Sequence, residues 1–149
     1  MELVLFIGIQ ATGKSSFFRE RFFRTHVRVN LDMLKTRHRE SLLFTACIEG
    51  KARCVVENTN VTREERSRYI APARNAGFRI IGYFFESRVA DALERNRTRP
   101  EIDRVPDVAI LSTSKKLELP SRAEGFDELH FVRFNGPKAF SVEEWKNEI

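Results

Sequence analysis

The sequence predicts a three-layer α/β fold in which a parallel sheet of five strands carries helices on both faces. Two observations lead to this fold class. Short, almost wholly apolar runs recur along the 149 residues, and such runs are typical of strands buried on both faces. Segments with helical spacing of apolar residues separate the runs, and this alternation predicts right-handed βαβ units. The length suits one domain that covers residues 1–149.

The strands are predicted from their apolar runs. The first run reads ELVLFI and ends at Gly8, which interrupts the pattern. The fourth run, FRIIGYFF, is the longest of the set. In chain order, the five predicted strands are residues 2–7, 27–30, 54–56, 78–85 and 129–134.

The helices are predicted from apolar spacing and from capping signals. Thr62 followed by Glu65 matches a capping box at the start of one helix. Ser141 followed by Glu144 is a second such pair, and it predicts a short terminal helix that carries Trp145. The other predicted helices run from Lys14 to Arg24, from Leu31 to about Glu49, from Thr62 to Gly77, from Val89 to Arg97, and from Val105 or Pro106 to about Glu118.

The charge and cysteine content narrow the class of protein. A net charge of +5 favours a polyanionic partner such as nucleic acid, and it is equally expected of a protein that binds anionic ATP. The two cysteines, Cys47 and Cys54, lack metal-ligand spacing and are expected to be free thiols in a cytoplasmic protein. Because no run of about 18 apolar residues occurs, no membrane span is expected.

The segment between the first strand and the first helix matches a phosphate-binding pattern. Residues 8–15 read GIQATGKS, which fits G-x-x-x-x-G-K-[ST]. Glycines in such a loop let backbone N–H groups approach phosphate oxygens, and the helix adds the positive end of its dipole. The pattern predicts that Lys14 reaches the β- and γ-phosphates of ATP and that Ser15 ligates Mg²⁺. The residues expected to hold the nucleotide are Gly8, Gln10, Ala11, Thr12, Gly13, Lys14, Ser15 and Ser16.

Two carboxylates follow predicted strands, where ligands of open α/β folds bind. Asp32 is either a general base that accepts a proton from an attacking hydroxyl or the cap of the next helix. Glu57 either orients water on Mg²⁺ or is a solvated acid at a strand end. After Glu57, Asn58 is expected to form a turn, whereas Thr59 and Asn60 are expected to line an acceptor pocket.

A cluster of arginines precedes the last predicted long helix. Its members are Arg95, Arg97, Arg99 and Arg104. Guanidinium groups grip phosphates, so residues from about 95 to 106 could form a mobile lid that closes over ATP. The alternative is a solvated helix face on which the arginines pair with Glu94, Glu101 and Asp103.

These landmarks together resemble the kinase domain of polynucleotide 5′-hydroxyl kinases, a family of P-loop kinases with a helical lid. The matching stretches are GIQATGKSSF, HVRVNLDMLK, CVVENTN with TREERSRYIAPARNAGF, ALERNRTR, and VPDVAILSTSKKLELPSRAEGFDELHFV. The resemblance implies a P-loop kinase-like fold, ATP and Mg²⁺ as cofactors, and nucleic acid 5′ ends as partners. It also implies transfer of the γ-phosphate of ATP to a 5′-hydroxyl, with Asp32 as general base.

The resemblance further implies roles for the lid and for the acceptor site. Arg99 matches the lid arginine that contacts the donor phosphates, with Arg97 or Arg95 assisting. Lys35 occupies a place where some relatives carry arginine, and it is expected to contact the substrate. The helix that follows Asp32 is basic, and it either tracks a nucleic acid backbone or is a solvated face.

The sequence departs from the family pattern at several positions. Gln10 and Ala11 stand where relatives often carry glycine or proline, and Glu57 stands where aspartate is usual. Leu31 replaces a residue that is commonly polar. Two other function classes therefore remain open. One is a P-loop kinase for a small molecule such as a nucleoside, a sugar or an antibiotic, and the other is a non-catalytic ATP-binding switch protein.

Overall fold

The computed structural model describes residues 1–136 and 139–146, and within them a six-stranded sheet is flanked by helices. In chain order the elements are β1 (Glu2–Ile7), α1 (Lys14–Arg21), β2 (Val27–Val29), α2 (Leu31–Leu34), α3 (Arg37–Glu49), β3 (Cys54–Val56), α4 (Arg63–Asn75), β4 (Arg79–Phe85), α5 (Val89–Thr98), α6 (Asp107–Lys116), β5 (Glu128–Phe134) and β6 (Phe140–Glu144). Short 3₁₀ turns at Glu101–Asp103 and Arg122–Glu124 precede α6 and β5. None of the helices in this part of the chain has the length and apolar character needed to cross a bilayer.

The strand order is β2-β3-β1-β4-β5-β6, which puts β1 inside the sheet. The first five strands of this order run parallel, and β6 is antiparallel to β5. In the register, Leu5 of β1 lies between Val56 of β3 and Gly82 of β4. Because β2, β3 and β1 are neighbours, the segments that follow them meet at one edge of the sheet.

Alternate residues of β1 are buried under different helices, as the period of a strand requires. Leu3, Leu5 and Ile7 belong to the cluster that α3 and α4 cover. Val4 and Phe6 belong to the cluster that α1 covers with its phenylalanines. Helices thus bury both faces of the sheet, and the predicted α/β class is confirmed.

A third apolar cluster joins α5 and α6 to the loop after β1. Ile9 and Ala11 of that loop pack against Ala92 of α5 and Ile110 of α6. Burial of these side chains attaches the lid region to the phosphate loop, since apolar contact area removed from water stabilises the contact.

The terminal helix predicted at Ser141 is wrong, and the sheet has six strands rather than five. The Phe140 ring packs 5.1 Å from the Phe17 ring on the side of α1. The Trp145 ring packs 5.2 Å from Phe84 in the cluster on the other side. An extended chain sends these two aromatic residues to opposite faces, and their burial outweighs a local capping signal.

The helix predicted from residue 31 to residue 49 is broken into α2 and α3. Lys35 adopts a left-handed φ of 75°, and the Thr36 hydroxyl caps α3 by accepting from the Arg39 N–H at 3.1 Å. Glu40 in the first turn of α3 is buried and accepts a 2.6 Å hydrogen bond from the Tyr69 hydroxyl. These contacts direct α3 onto the sheet and leave α2 at the edge where β2 ends.

Candidate functional site

The phosphate loop is shaped by hydrogen bonds to its backbone and by close contact with aromatic rings. The Gly8 N–H donates to the Thr59 carbonyl at 2.9 Å, which fastens the loop to the segment after β3. The buried Thr12 hydroxyl donates to a loop carbonyl at 2.9 Å. Gly13 has a φ of 93°, and a Cβ added there would lie 2.8 Å from the Phe134 ring. Only glycine fits both the conformation and the space.

The Lys14 amine is turned into the loop, where it donates to two loop carbonyls at 2.9 and 2.6 Å. Desolvation lowers the pKa of Lys14 to about 7. The carboxylates of Glu57 and Asp32 partly offset this shift, and the Arg99 guanidinium adds to it. A phosphate beside the amine would favour its charged form, so protonation of Lys14 is coupled to phosphate binding.

The Glu57 carboxylate is buried and fully engaged by donors. Its Oε2 accepts from the Asn30 amide at 2.8 Å and from the Ser15 hydroxyl at 3.2 Å. Its Oε1 accepts from Nε of Arg28 at 3.0 Å. A buried carboxylate requires such partners, because leaving a charge unpaired away from water is costly. The interpretation of Glu57 as a solvated acid at a strand end is therefore wrong.

Ser15 and Glu57 fit a magnesium ion by the chemistry of their oxygens. Mg²⁺ prefers hard oxygen ligands and takes one or two from the protein, with water and phosphate oxygens completing its shell. The Ser15 hydroxyl and the Glu57 carboxylate stand together at the start of α1. Within residues 1–136 and 139–146, no group of three or more His, Cys, Asp or Glu side chains could form a closed metal cage.

Asp32 lines the same cavity as Lys14 and Ser15. It is not the cap of α2, because the Asn30 side chain accepts the Met33 N–H at 2.8 Å and takes that role. Asp32 is exposed, and no hydrogen bond or ion pair joins its carboxylate to another of the described residues. Its carboxylate is accessible from the cavity, and its role as general base stays a prediction.

The lid region brings one of the three predicted arginines into the cavity. Arg99 lines the cavity, whereas Arg97 is exposed and does not. Arg95 instead donates to the Ala11 carbonyl at 2.7 Å, and its guanidinium lies 5.2 Å from the centre of the Phe134 ring. Arg95 thus holds the outside of the phosphate loop.

Backbone contacts, rather than ion pairs, shape the lid loop. Asn96 is buried, and its side chain both donates to the Val105 carbonyl at 2.7 Å and accepts the Val105 N–H at 3.1 Å. Arg104 donates to the Arg99 carbonyl at 2.7 Å. The alternative interpretation of the lid required ion pairs between these arginines and Glu94, Glu101 or Asp103. In the described part of the chain, no such ion pair is present.

The residues predicted for the acceptor pocket are only partly brought together. Thr59 lines the cavity, whereas Lys35 is exposed and lies outside its lining. Asn60 is buried and donates to the Phe6 carbonyl at 2.8 Å, so its side chain is engaged within the sheet. Asn58, expected in a local turn, lines the cavity and accepts the first N–H of α2 at 2.9 Å.

Sequence reasoning missed Arg28 and Asn30. Both come from β2 or its end, and they reach Glu57 because β2 and β3 are adjacent. A signal for Asn30 was present, since it ends the second apolar strand as Glu57 ends the third. All three residues line a cavity of about 1050 Å³.

Among curated proteins, the chain is similar to the bifunctional polynucleotide phosphatase/kinase of Schizosaccharomyces pombe. The two sequences are 26% identical over 137 residues, which cover 89% of this chain and 34% of that protein. The chain therefore spans about a third of the length of this relative.

Solved structures with the same fold include chains from three different proteins. Kti12 of Chaetomium thermophilum, solved with ADP-AlF3, has a TM-score of 0.68 at 14% identity and covers 89% of both chains. A gluconokinase from Sinorhizobium meliloti has a TM-score of 0.64 at 16% identity, over 91% of this chain and 84% of that one. A chain of the PezAT toxin-antitoxin system of Streptococcus pneumoniae has a TM-score of 0.63 at 12% identity, over 89% of this chain and 68% of that one. At such identities the likeness concerns the fold.

The fold is a P-loop kinase-like α/β fold, and the loop after β1 matches the phosphate-binding pattern. The phosphate loop is assigned by its own pattern and geometry, since the family match begins after it. That match, to the model of the AAA domain, covers residues 35–120, more than half of the sequence, and the chain belongs to the AAA domain family.

Proposed function

We propose that this chain transfers the γ-phosphate of ATP to the 5′-hydroxyl of DNA or RNA. One observation carries the proposal: Lys14, Ser15 and Asp32 line one cavity, to which the lid adds Arg99. Transfer of a phosphoryl group to an alcohol needs a cradle for the terminal phosphates and a base for the attacking hydroxyl. The cavity meets both requirements, with Lys14 and Ser15 as the cradle and Asp32 as the base.

The chemistry is mainly positioning and charge neutralisation. Lys14 and the loop N–H groups hold the β- and γ-phosphates, and Arg99 neutralises negative charge on the transferring group. Ser15 and Glu57 would hold Mg²⁺, which supplies further neutralisation of the phosphates when bound. As the acceptor oxygen bonds to the γ-phosphorus, the bond from phosphorus to the β–γ bridging oxygen breaks and ADP leaves. Asp32 takes the proton of the acceptor hydroxyl.

A polynucleotide acceptor is favoured over other acceptors for two reasons. The curated relative is named as a polynucleotide phosphatase/kinase, and its similarity covers 89% of this chain. The net charge of +5 also suits a polyanion. A small alcohol is the second candidate, because the fold is shared with a gluconokinase. A cytoplasmic location stays a prediction.

The test is a labelling experiment with γ-labelled ATP and Mg²⁺. DNA and RNA oligonucleotides with 5′-hydroxyl or 5′-phosphate ends are offered in parallel with nucleosides and sugar acids. We expect label only on 5′-hydroxyl ends. Asp32→Asn should reduce labelling at least about a hundredfold, which is the lower range for loss of a general base. Lys14→Ala should abolish it.

Asp107→Asn is the matched control, since Asp107 is also an exposed acid in the first turn of a helix. It should label like the wild type. Strong labelling by Asp32→Asn would remove the base assignment. Label that appears only on a small alcohol would establish the second candidate. Normal ATP binding without any labelled acceptor would favour a non-catalytic switch protein.

A further inference from the structure

The cavity extends beyond the space that the phosphate loop and the lid enclose. It continues along α1 toward the start of β2, where it is lined by Phe18, Arg19, Phe23, Arg28 and Met33. We call these five residues the α1–β2 groove. The phosphates of ATP are assigned to the loop, so the groove is a part of the cavity that the donor phosphates do not fill.

Ser15, Arg19 and Phe23 are spaced by four residues and all line the cavity. Ser15 and Arg19 belong to α1, where side chains at this spacing lie on one side of the helix, about 6 Å apart along its axis. Phe23 lies in the turn that follows α1. The three residues therefore lead from the phosphate loop into the groove.

Two apolar side chains of the groove are exposed to water. Phe23 is 69% exposed and Met33, next to Asp32, is 49% exposed. Other exposed apolar residues, such as Leu42 and Val108, lie outside the cavity lining. An exposed aromatic ring inside a cavity is a platform on which a nucleobase can stack.

The groove also has a free positive charge. Arg28 is occupied, since it pairs with Glu57 at 3.0 Å and lies 5.7 Å from the centre of the Phe18 ring. Arg19 is exposed, and no ion pair joins it to a described acid. A guanidinium without a partner, four residues from an aromatic platform, suits the phosphate that follows a stacked base.

The geometry points to the α1–β2 groove as the binding site for the first nucleotides of a single-stranded 5′-hydroxyl acceptor. A base stacks on Phe23, and a backbone phosphate pairs with Arg19. This inference rests on the proposed polynucleotide kinase function. A peptide fits less well, because the edge strand β2 has only three residues for main-chain pairing.

The test measures binding and turnover separately. Binding of 3′-fluorescein 5′-hydroxyl oligonucleotides, from a dinucleotide to an octamer, is followed by anisotropy without ATP. Affinity should rise with length and level off once the oligonucleotide is long enough to reach both Arg19 and Phe23. Phe23→Ala should weaken binding of the octamer about tenfold, and Phe23→Trp should restore it. Arg19→Ala should reduce the slope of log affinity against log salt by about 0.7.

The same variants are then compared in turnover. Phe23→Ala should raise KM for the octamer and leave KM for ATP unchanged. Leu42→Ala and Arg53→Ala are matched controls, since both residues are exposed and lie outside the cavity lining. Melting temperatures of all variants check that they fold.

The outcomes separate this inference from the proposed function. If the wild type labels the octamer but Phe23→Ala and Arg19→Ala behave like the controls, the groove assignment is overturned. If the wild type binds the octamer through Phe23 but never labels it, the groove assignment is supported and the kinase proposal fails. If it neither binds nor labels the octamer, both fail.

Discussion

The Ser15 hydroxyl donates a 3.2 Å hydrogen bond to Oε2 of Glu57, although 42 residues separate the two in the sequence. The bond joins the first turn of α1 to the end of β3. Both side chains carry oxygen atoms that can ligate a metal ion, so their contact defines where a magnesium ion would be held. Glu57 also pairs with Arg28. The Arg28 guanidinium and a bound metal ion would therefore compete for the same carboxylate.

Glu57→Gln should weaken magnesium binding, because the amide keeps the shape of the side chain but lacks its charge. We expect the Mg²⁺ concentration for half-maximal ATP binding to rise about 10- to 100-fold, as for other changes around metal sites. Calorimetric titration of ATP at a series of Mg²⁺ concentrations measures this shift without turnover.

Two further variants make this prediction specific. Glu86→Gln is the control, since Glu86 also follows a strand but pairs with Arg133 outside the cavity. Arg28→Met should lower the Mg²⁺ requirement, because it removes a positive charge 3.0 Å from Glu57. An unchanged requirement in Glu57→Gln would show that Glu57 does not hold the metal.

Lys14 should take up a proton when ATP binds. In the free protein, desolvation lowers the pKa of Lys14 to about 7, so the amine is mostly neutral at pH 8. The triphosphate raises this pKa, since it favours the charged amine. Below about pH 7 the amine is charged in both states, so ATP affinity is expected to fall only as pH rises above 7.

Calorimetry in buffers with different ionisation enthalpies measures the proton uptake directly. We expect uptake near pH 8 and much less at pH 6. Lys14→Arg should show none at either pH, because an arginine stays charged throughout this range. Absence of uptake by the wild type at pH 8 would contradict the shifted pKa.

The buried ion pair of Arg66 and Glu124 should be essential for stability. The Arg66 side chain is fully buried and donates to both carboxylate oxygens of Glu124, at 2.7 and 3.1 Å. Arg66→Met should reduce the free energy of unfolding by about 3–5 kcal/mol, because it leaves the Glu124 carboxylate without its partner. Urea denaturation measures the loss.

The control for this prediction is Arg68→Met. Arg68 pairs with Glu64 at 3.4 Å on the surface, where both side chains are largely exposed. Exposed pairs contribute little, so this variant should unfold at nearly the wild-type urea concentration. Equal losses in the two variants would mean that burial does not determine the strength of the Arg66 pair.

Gly13→Ala should impair both nucleotide binding and folding. The added Cβ would lie 2.8 Å from the Phe134 ring, at a left-handed φ of 93°. We expect at least about tenfold weaker ATP binding and a loss of about 2 kcal/mol in the free energy of unfolding. Titration with ATP and urea denaturation measure the two effects.

Gly136→Ala distinguishes the effect of a positive φ from the effect of a steric clash with a neighbouring ring. Gly136 also has a positive φ, of 124°, but an added Cβ would meet no described atom within 4 Å. This variant should bind ATP like the wild type. In the Gly13→Ala background, Phe134→Ala should recover part of the binding. No recovery would mean that the backbone conformation or the Phe140 ring, which the added Cβ would meet at 3.0 Å, is enough to require glycine.

Much of the fold could be predicted because its signals are local. The bounds of β1 and β3 are confirmed, and the Thr62 side chain accepts the Glu65 N–H as the capping pattern indicated. The predictions failed where distant packing decided the conformation. The left-handed Lys35 breaks one predicted helix, and burial of Trp145 and its neighbours turns another predicted helix into β6.

The sequence alone determined the phosphate loop and the apolar strands, because their residue spacing dictates backbone shape within a few positions. Only the tertiary structure decided which side chains meet Glu57. Arg28 and Asn30 reach it because β2 lies beside β3, and strand order depends on how distant helices bury both faces of the sheet. Contacts across dozens of residues have no local pattern, whereas loops and caps do.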